Sequence, residues 1–160
     1  MSLIRRAARP MLASVFVASG ADTLRNPEPR AAMAEPVTTK MASGLPLPDD
    51  TEKLVKVNAG VQVGAGLLLA IGRLPRLAAL ALAGSIVPTT LAGHRFWEED
   101  DPATKSKQQV QFLKNVGLLG GLILAAVDTG GAPSLGWRAK RAARKVKGSA
   151  SAAVEALPIG

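Results

Sequence analysis

The residues of this chain that are able to do chemistry are few. Cysteine is absent and His94 is the single histidine, which excludes disulfides, thiol catalysis, thiolate metal sites, a bis-histidine haem and an ordinary zinc site. The sequence also shows no phosphate-binding loop, nucleophile–base pair or metal-spaced cluster. The remaining chemistry is polar recognition, and the ten residues expected to provide it are Asp22, Lys56, Asn58, Gln62, Thr89, Thr90, His94, Arg95, Lys114 and Asn115.

Spacing predicts that these ten side chains converge. Asn58 and Gln62 are four residues apart and therefore share one helix face. Charged groups at membrane depth normally face a partner or a cavity, so Asp22 is expected to pair with a lysine or arginine of the set (Lys56, Lys114 or Arg95). Two hypotheses follow: the polar residues only staple a helix bundle together, or they form a pocket for a polar head group, a quinone head or a partner's loop.

His94 lies in the densest polar cluster, which begins at Pro88. A neutral imidazole is able to hydrogen-bond a quinone carbonyl, carry a proton or bind a metal. The alternative is an interfacial histidine bonded to Glu98 or to water. Pro88 frees a backbone carbonyl one turn earlier, and a threonine hydroxyl (Thr89 or Thr90) is expected to bond nearby backbone groups. Phe96 and Trp97 are typical of an aromatic belt.

Four apolar segments are expected to position these residues. A membrane crossing needs about 20 apolar residues, and two long apolar runs, 54–71 and 77–93, flank a short turn that carries Arg73 and Arg76. The pattern predicts an all-α integral membrane protein: a four-helix transmembrane bundle over residues 1–137 with a short cytoplasmic basic tail, 138–160, amphipathic or disordered. The four spans are expected at about 5–24, 54–72, 75–95 and 111–128.

The connecting segments carry turn and cap signals. Asn26 and Pro27 are expected to stop the first helix, and residues 27–50 are expected to form a loop. Asp49 or Asp50 is expected to cap the second span, and residues 98–109 are expected to connect the third and fourth. Close helix approach is predicted at two small-residue pairs, Gly60 with Gly64 and Gly117 with Gly121.

Basic residues predict the orientation of the bundle in a bacterial plasma membrane. Short cytoplasmic segments are enriched in lysine and arginine, and both termini are therefore expected in the cytoplasm. The basic residues on that side are Arg5, Arg6, Arg9, Arg73, Arg76, Arg138, Lys140, Arg141, Arg144, Lys145 and Lys147. The tail is expected to contact anionic lipid rather than nucleic acid, because it directly follows a span, after Trp137.

Two rival interpretations remain open for the architecture. Residues 1–20 also resemble a cleaved signal peptide, with basic residues, an apolar run and small residues at the end; cleavage leaves three spans. A soluble helical bundle is the second rival, and it is disfavoured because the second and third segments lack a polar face.

The assembled pattern resembles the DoxX family of small bacterial membrane proteins, in its actinobacterial form. The resemblance covers about residues 5–137. The stretches that carry it are Arg9-Pro10-Met11-Leu12-Ala13-Ser14, Gly20-x-Asp22-x-x-Arg25-Asn26-Pro27, Asn58-Ala59-Gly60-Val61-Gln62-Val63-Gly64-Ala65-Gly66, Pro88-Thr89-Thr90-x-Ala92-Gly93-His94-Arg95-Phe96-Trp97 and Gln111-Phe112-Leu113-Lys114-Asn115.

The resemblance implies an integral membrane subunit or scaffold of a redox or oxidative-stress complex of the thiosulfate or thiol–quinone type. Such a subunit is expected to have no catalytic activity on its own. Its candidate cofactor is a quinone, and its expected partners are soluble redox enzymes. The alternative hypothesis is a small-molecule, lipid or quinone binder or transporter that uses the outward-facing polar pocket. The sequence does not determine the oligomeric state.

Overall fold

The computed structural model describes residues 3–42, 44 and 50–128, together with Trp137, Arg141 and Arg144. The chain forms two compact units, Met1–Asp128 and Thr129–Gly160. The described part of the first unit is helical, and a short 3-10 turn at Phe96–Glu98 precedes the last helix. The helices are α1 (Leu3–Arg25), α2 (Glu28–Ala42), α3 (Thr51–Ile71), α4 (Pro75–Gly93) and α5 (Pro102–Val127).

The prediction of a loop over residues 27–50 was wrong for residues 28–42, which form α2. The positions of the prolines explain why a loop was predicted and why the segment is nevertheless able to form a helix. Pro29 lies in the first turn, where a missing N–H costs nothing because those N–H groups have no intrahelical partner. Pro36 lies inside the helix and removes one backbone hydrogen bond, so the helix depends on its packing against α3 and α4.

Within the described residues, three helical stretches are long and apolar enough to cross a membrane: Thr51–Ile71, Pro75–Glu98 and Pro102–Val127. They match the predicted second, third and fourth spans. The first predicted span is a continuous helix of 23 residues, but Arg9, Pro10 and Asp22 make it less apolar than the other three.

The tight turn between α3 and α4 forms where the sequence predicts it. Gly72 ends α3 with φ 76°, a left-handed conformation that glycine adopts without steric cost. Arg73 N–H then donates to Leu68 O at 2.9 Å, which satisfies one of the last carbonyls of the helix. Pro75 starts α4 at its first position, where proline is favoured.

The connection before the last helix is shorter than predicted, because residues 102–109 are helical. Asp101 is the N-cap residue, and its carboxylate accepts a hydrogen bond from Thr104 N–H at 2.8 Å. Pro102 occupies the first turn. This Asp-Pro start adds about two turns to α5 before the predicted span.

Small residues pack α1 against α3, but they are not the predicted pairs. An added Cβ at Gly20 would lie 2.8 Å from Ala59 O, and one at Gly66 would lie 2.7 Å from Val17 Cγ2. Gly60 and Gly64 have nothing within 4 Å of that position. Of the second predicted pair, Gly117 is also open, and Gly121 lies against Leu12.

An apolar core lies where α1, α3, α4 and α5 meet. The side chains of Leu69, Leu82 and Leu122 are fully buried, one each from α3, α4 and α5. Phe16 and Ala13 of α1 join the same cluster. Most of these residues come from the apolar halves of the helices, whereas the amide and hydroxyl side chains of Asn58, Gln62 and Thr89 lie nearer the opposite ends.

Three arginines meet Asp128 at one end of the bundle. Arg5 Nε lies 2.9 Å and Arg9 Nη2 3.5 Å from Asp128 Oδ2, and Arg76 Nε donates to the Asp128 backbone oxygen at 2.9 Å. The start of α1, the start of α4 and the end of α5 therefore lie at the same end of the bundle. α3 ends there too, because a short turn joins it to α4.

The second unit is described at three residues. Arg141 places its guanidinium carbon 5.0 Å from the ring centre of Trp137, a cation–π contact. The predicted character of the tail, amphipathic or disordered and in contact with anionic lipid, falls mostly on residues outside those that the structure describes.

Candidate functional site

A cavity of about 210 Å³ lies at the end of the bundle away from Asp128. The last turns of α1 and α4, the first half of α3 and one face of α2 enclose it. Its polar lining consists of Ser19, Thr23, Arg30, Thr38, Asn58, Gln62 and Thr89. Apolar side chains, Met33, Val37, Leu54 and Val55 among them, cover the remaining walls.

One wall of the cavity is a hydrogen-bonded group of two amides and a hydroxyl. Asn58 Nδ2 donates to Thr89 Oγ1 at 3.2 Å, and Gln62 Nε2 approaches the same oxygen at 3.5 Å. Thr89 in turn donates to Ser85 O at 2.7 Å. Three of the ten side chains that were predicted to converge, Asn58, Gln62 and Thr89, therefore meet in the structure, and they tie α3 to α4.

The opposite wall comes from α2, which the sequence prediction missed. Arg30 lines the cavity, and its Nη2 lies 3.6 Å from Asp22 Oδ2. Both side chains are substantially exposed, so solvent screens this pair. Thr38 Oγ1 and Thr51 Oγ1 are 2.9 Å apart and join α2 to the start of α3.

A helical signal for α2 was present in the sequence. Met33, Ala34 and Val37 have the i, i+1, i+4 spacing of one helix face, and all three line the cavity. Three nearby prolines masked this short pattern. Thr23 and Ser19 on α1 were also missed, because one hydroxyl per turn on an apolar helix is common and carries little signal; Thr23 donates to Ser19 O at 2.8 Å.

Thr90 and Asn115 lie on a different side of α4 from the cavity. Asn115 Nδ2 donates to Thr90 Oγ1 at 3.0 Å, and Thr90 donates to Ile86 O at 2.7 Å. Both residues are buried. This pair joins α4 to α5 and fits the stapling hypothesis, because a polar group in an apolar interior is stable only when it is hydrogen-bonded.

His94 and Arg95 bind neighbours near the end of α4. His94 Nδ1 lies 2.8 Å from Gln108 Oε1, so Nδ1 carries the proton in this arrangement, and the partner is neither the predicted Glu98 nor a residue of the cavity. Arg95 instead pairs with Glu98 at 3.0 Å.

An aromatic cluster lies next to this histidine. Phe96, Trp97 and Phe112 form edge-to-face contacts with ring centres 5.2–5.9 Å apart. These contacts hold the 3-10 turn against α5.

The predicted ion pairs of Asp22 with Lys56, Lys114 or Arg95 do not form. Asp22 is paired with Arg30, and Lys56 is paired with Glu52 one turn before it at 2.5 Å. Lys114 lies on the exposed face of α5. Lys56 is held by a carboxylate of its own helix, and Lys114 is exposed on α5, whereas the unpredicted helix α2 brings Arg30 to Asp22.

The ten predicted residues therefore divide into several groups. Asn58, Gln62 and Thr89 line the cavity, and Asp22 reaches it through Arg30. Thr90 with Asn115, His94, Arg95, Lys56 and Lys114 lie elsewhere. Among the described residues, no group of three or more histidine, aspartate or glutamate side chains is placed to hold a metal ion. The arrangement suits recognition of a small amphipathic molecule, because one wall offers amides and the others apolar surface.

Comparison with known proteins agrees with the architecture. The DoxX family model matches residues 5–95, a segment that holds α1 to α4, the cavity and the α3–α4 turn. No curated protein and no solved structure matches the chain. The family match covers more than half of the chain, and three helices have membrane length; this protein is a multi-pass membrane protein of the DoxX family.

Proposed function

We propose that this chain is a four-span protein of the bacterial plasma membrane, with both termini in the cytoplasm, whose cavity binds the polar head of a small amphipathic molecule. The topology is supported by α1, which packs along α3 and brings Arg5 and Arg9 to the same end as Arg76. Arginines gather on the cytoplasmic side of membrane proteins. The cavity then opens near the outer side.

The single observation that carries the binding function is the cavity itself. About 150 Å³ is enough to hold a benzene ring in a protein interior, so about 210 Å³ fits one substituted ring. Amide and hydroxyl groups on one wall fix the orientation of such a head, and apolar side chains on the others accept its carbon atoms. The head of a quinone has this size and this character.

A second candidate function is that of a non-catalytic membrane subunit of a redox or oxidative-stress complex. Family membership favours it, because DoxX proteins are linked to membrane redox and oxidative-stress functions. A chain without cysteine has to obtain thiol chemistry from a soluble partner enzyme. The two candidates are compatible, since a subunit that binds quinone connects such an enzyme to the membrane.

The absence of native cysteine makes the topology directly testable by single-cysteine labelling. We expect a membrane-impermeant maleimide to label Asp100→Cys in intact cells, and to label Arg73→Cys only after the cells are permeabilised. Both positions are exposed, so access rather than burial decides the result. The opposite labelling pattern contradicts the proposed orientation. The intact mass of the purified protein shows whether residues 1–20 are retained.

Ligand binding is tested by filling the cavity. Ala92 lines it, whereas Ala81 lies on the exposed face of the same helix, so Ala92→Phe and Ala81→Phe are a matched pair. A short-chain alkyl-1,4-benzoquinone, oxidised or reduced, is expected to raise the Tm of the wild type and of Ala81→Phe in detergent. It is expected to leave the Tm of Ala92→Phe unchanged. A flat response of the wild type to both forms contradicts the binding function.

The subunit role is tested by native mass spectrometry of complexes released from membranes in mild detergent. We expect a complex in which this chain carries a soluble redox enzyme. A chain that is always released alone, at several detergent concentrations, contradicts this role without affecting the cavity.

A further inference from the structure

The direction of one hydrogen bond determines what the polar wall of the cavity offers a ligand. Thr89 Oγ1 lies 2.7 Å from Ser85 O. A peptide oxygen only accepts, and a threonine hydroxyl has a single proton, so that proton points at Ser85. Thr89 is therefore left as an acceptor for every other neighbour.

This assignment orients both amides of the wall. Asn58 and Gln62 each approach Thr89 Oγ1, at 3.2 and 3.5 Å, and only an amide N–H is able to satisfy an oxygen that has no proton to give. Each amide nitrogen thus faces Thr89, and each amide oxygen remains for another donor. No hydrogen bond to either oxygen is present among the described residues, and both side chains line the cavity, so the two oxygens are open to a ligand there. Gln62 is only 5% exposed.

Charge around the cavity restricts the donor that fits. A ligand ammonium group would donate to the amide oxygens, but Arg30 in the lining repels a second cation, and Asp22 already pairs with it at 3.6 Å. Met33, Val37 and Leu54 make the rest of the lining apolar. A neutral donor on an apolar body meets both conditions.

We infer that the cavity selects an amphiphile whose head carries a hydroxyl group, and that the oxygens of Asn58 and Gln62 accept the hydroxyl proton. This inference rests on the proposed binding function and adds the ligand class to it. A quinone head presents only carbonyl acceptors, whereas its reduced form presents two hydroxyl donors. The wall therefore favours the reduced form, and it favours phenols and alcohols over their ethers.

The test compares ligands that differ only in the donor. Binding of 4-pentylphenol and of its methyl ether, 4-pentylanisole, to the detergent-solubilised full chain is measured by calorimetry. One net hydrogen bond corresponds to about tenfold in affinity, so the phenol is expected to bind about tenfold more tightly. A second arm compares 1-octanol with its methyl ether and separates ring-borne from aliphatic hydroxyl groups. A hydroxyl preference in either arm supports the inference.

Variants of the wall show whether these amides recognise the hydroxyl. Gln62→Met and Asn58→Leu keep the approximate side-chain volume and remove the acceptor, so each is expected to reduce the phenol-to-ether ratio towards one. Gln111→Met, at an exposed position on α5, is the control and should leave the ratio unchanged. Thr89→Ser keeps the hydroxyl geometry and should preserve the preference.

The possible failures are distinguishable. If phenol and ether bind equally to the wild type, the hydroxyl selectivity is wrong and the binding function stands. If no probe binds, and the alkyl-1,4-benzoquinone and its reduced form do not bind either, the binding function itself fails. A preference that survives both amide replacements overturns the assigned role of Asn58 and Gln62.

Discussion

Asp50 and Asp101 perform the same task at the starts of two membrane-length helices. Asp50 accepts a hydrogen bond from Lys53 N–H at 3.0 Å at the start of α3. Asp101 accepts bonds from the hydroxyl and the backbone N–H of Thr104 at the start of α5. A carboxylate at an N-cap satisfies an N–H group that has no intrahelical partner and interacts favourably with the helix dipole.

These caps make stability depend on acid pH. Hydrogen bonds from Lys53, the backbone N–H first, hold the pKa of Asp50 below its usual 3.8. Bonds from the hydroxyl and then the backbone N–H of Thr104 lower the pKa of Asp101 likewise. A carboxyl whose folded-state pKa is lowered contributes stability above its unfolded-state pKa, and this contribution is lost as the pH falls through the folded-state value.

We therefore expect the Tm in detergent to be insensitive to these two groups at neutral pH and to decrease as the pH falls below about 3.8. The double variant Asp50→Ser, Asp101→Ser keeps two capping hydroxyls but removes both titrations, so its decrease should be smaller. Identical acid profiles for the wild type and this variant would show that other carboxyl groups dominate.

At the scale of helices, α1 and α3 pack so closely that Gly20 and Gly66 leave no room for a Cβ atom. A Cβ at Gly20 meets the backbone oxygen of Ala59 at 2.8 Å, and a backbone atom cannot rotate aside as a side chain does. The sequence indicated glycine-mediated packing, but on α3 it indicated Gly60 and Gly64, whereas the tight contact with α1 is at Gly66 and at Gly20 of α1. The four-residue spacing of Gly60 and Gly64 does not specify which face of a helix meets a neighbour.

Gly20→Ala should force α1 and α3 apart and reduce the free energy of unfolding by about 1–3 kcal/mol. Gly64→Ala is the matched control: it adds the same methyl group to open space and should be neutral or stabilising by up to about 1 kcal/mol, because alanine favours helix. The measurement is thermal unfolding in one detergent. Equal Tm values for the two variants would contradict the packing described for Gly20.

Helix α2 shows why a local pattern was insufficient at this scale. Its face of Met33, Ala34 and Val37 is short, and Pro36 interrupts the backbone hydrogen bonding. Such a segment is stabilised as a helix mainly by tertiary packing rather than by propensity. The sequence alone therefore could not distinguish this helix from a proline-rich loop. For the same reason it did not predict that Arg30 of this helix lines the cavity.

At the scale of the whole molecule, Asp128 joins three helices that are distant in sequence. Its carboxylate binds Arg5 and Arg9, and its backbone oxygen binds Arg76. The side chain of Arg9 is 10% exposed and that of Asp128 24%, so solvent screens this cluster less than a surface pair. Only a bundle with α1 antiparallel to α3 brings these ends together.

Asp128→Asn should lower the free energy of unfolding by about 1–2 kcal/mol, between the values typical of exposed and buried ion pairs. Asp100→Asn, at an exposed position, is the control and should leave the Tm unchanged. Raising the salt concentration should change the Tm of the wild type little, since the cluster is partly buried. A Tm for Asp128→Asn equal to that of the control contradicts a stabilising role for the cluster.

The sequence by itself determined the helical class, three of the four predicted membrane-length segments, the α3–α4 turn and a cap at Asp49 or Asp50, which Asp50 provides. Each of these depends on local hydrophobicity, glycine conformation or a nearby hydrogen bond. It also predicted that ten polar side chains converge, and three of them, Asn58, Gln62 and Thr89, do so.

Only the tertiary structure decided which polar residues share a cavity. Thr89 and Thr90 are adjacent in sequence, but they project about 100° apart around α4, so one faces the cavity and the other pairs with Asn115. Likewise, Asp22 pairs with Arg30 rather than with a lysine, because α2 packs against α3 and α4. Rotation about helix axes and the path of a connecting segment are set by packing, and packing depends on residues far apart in the chain.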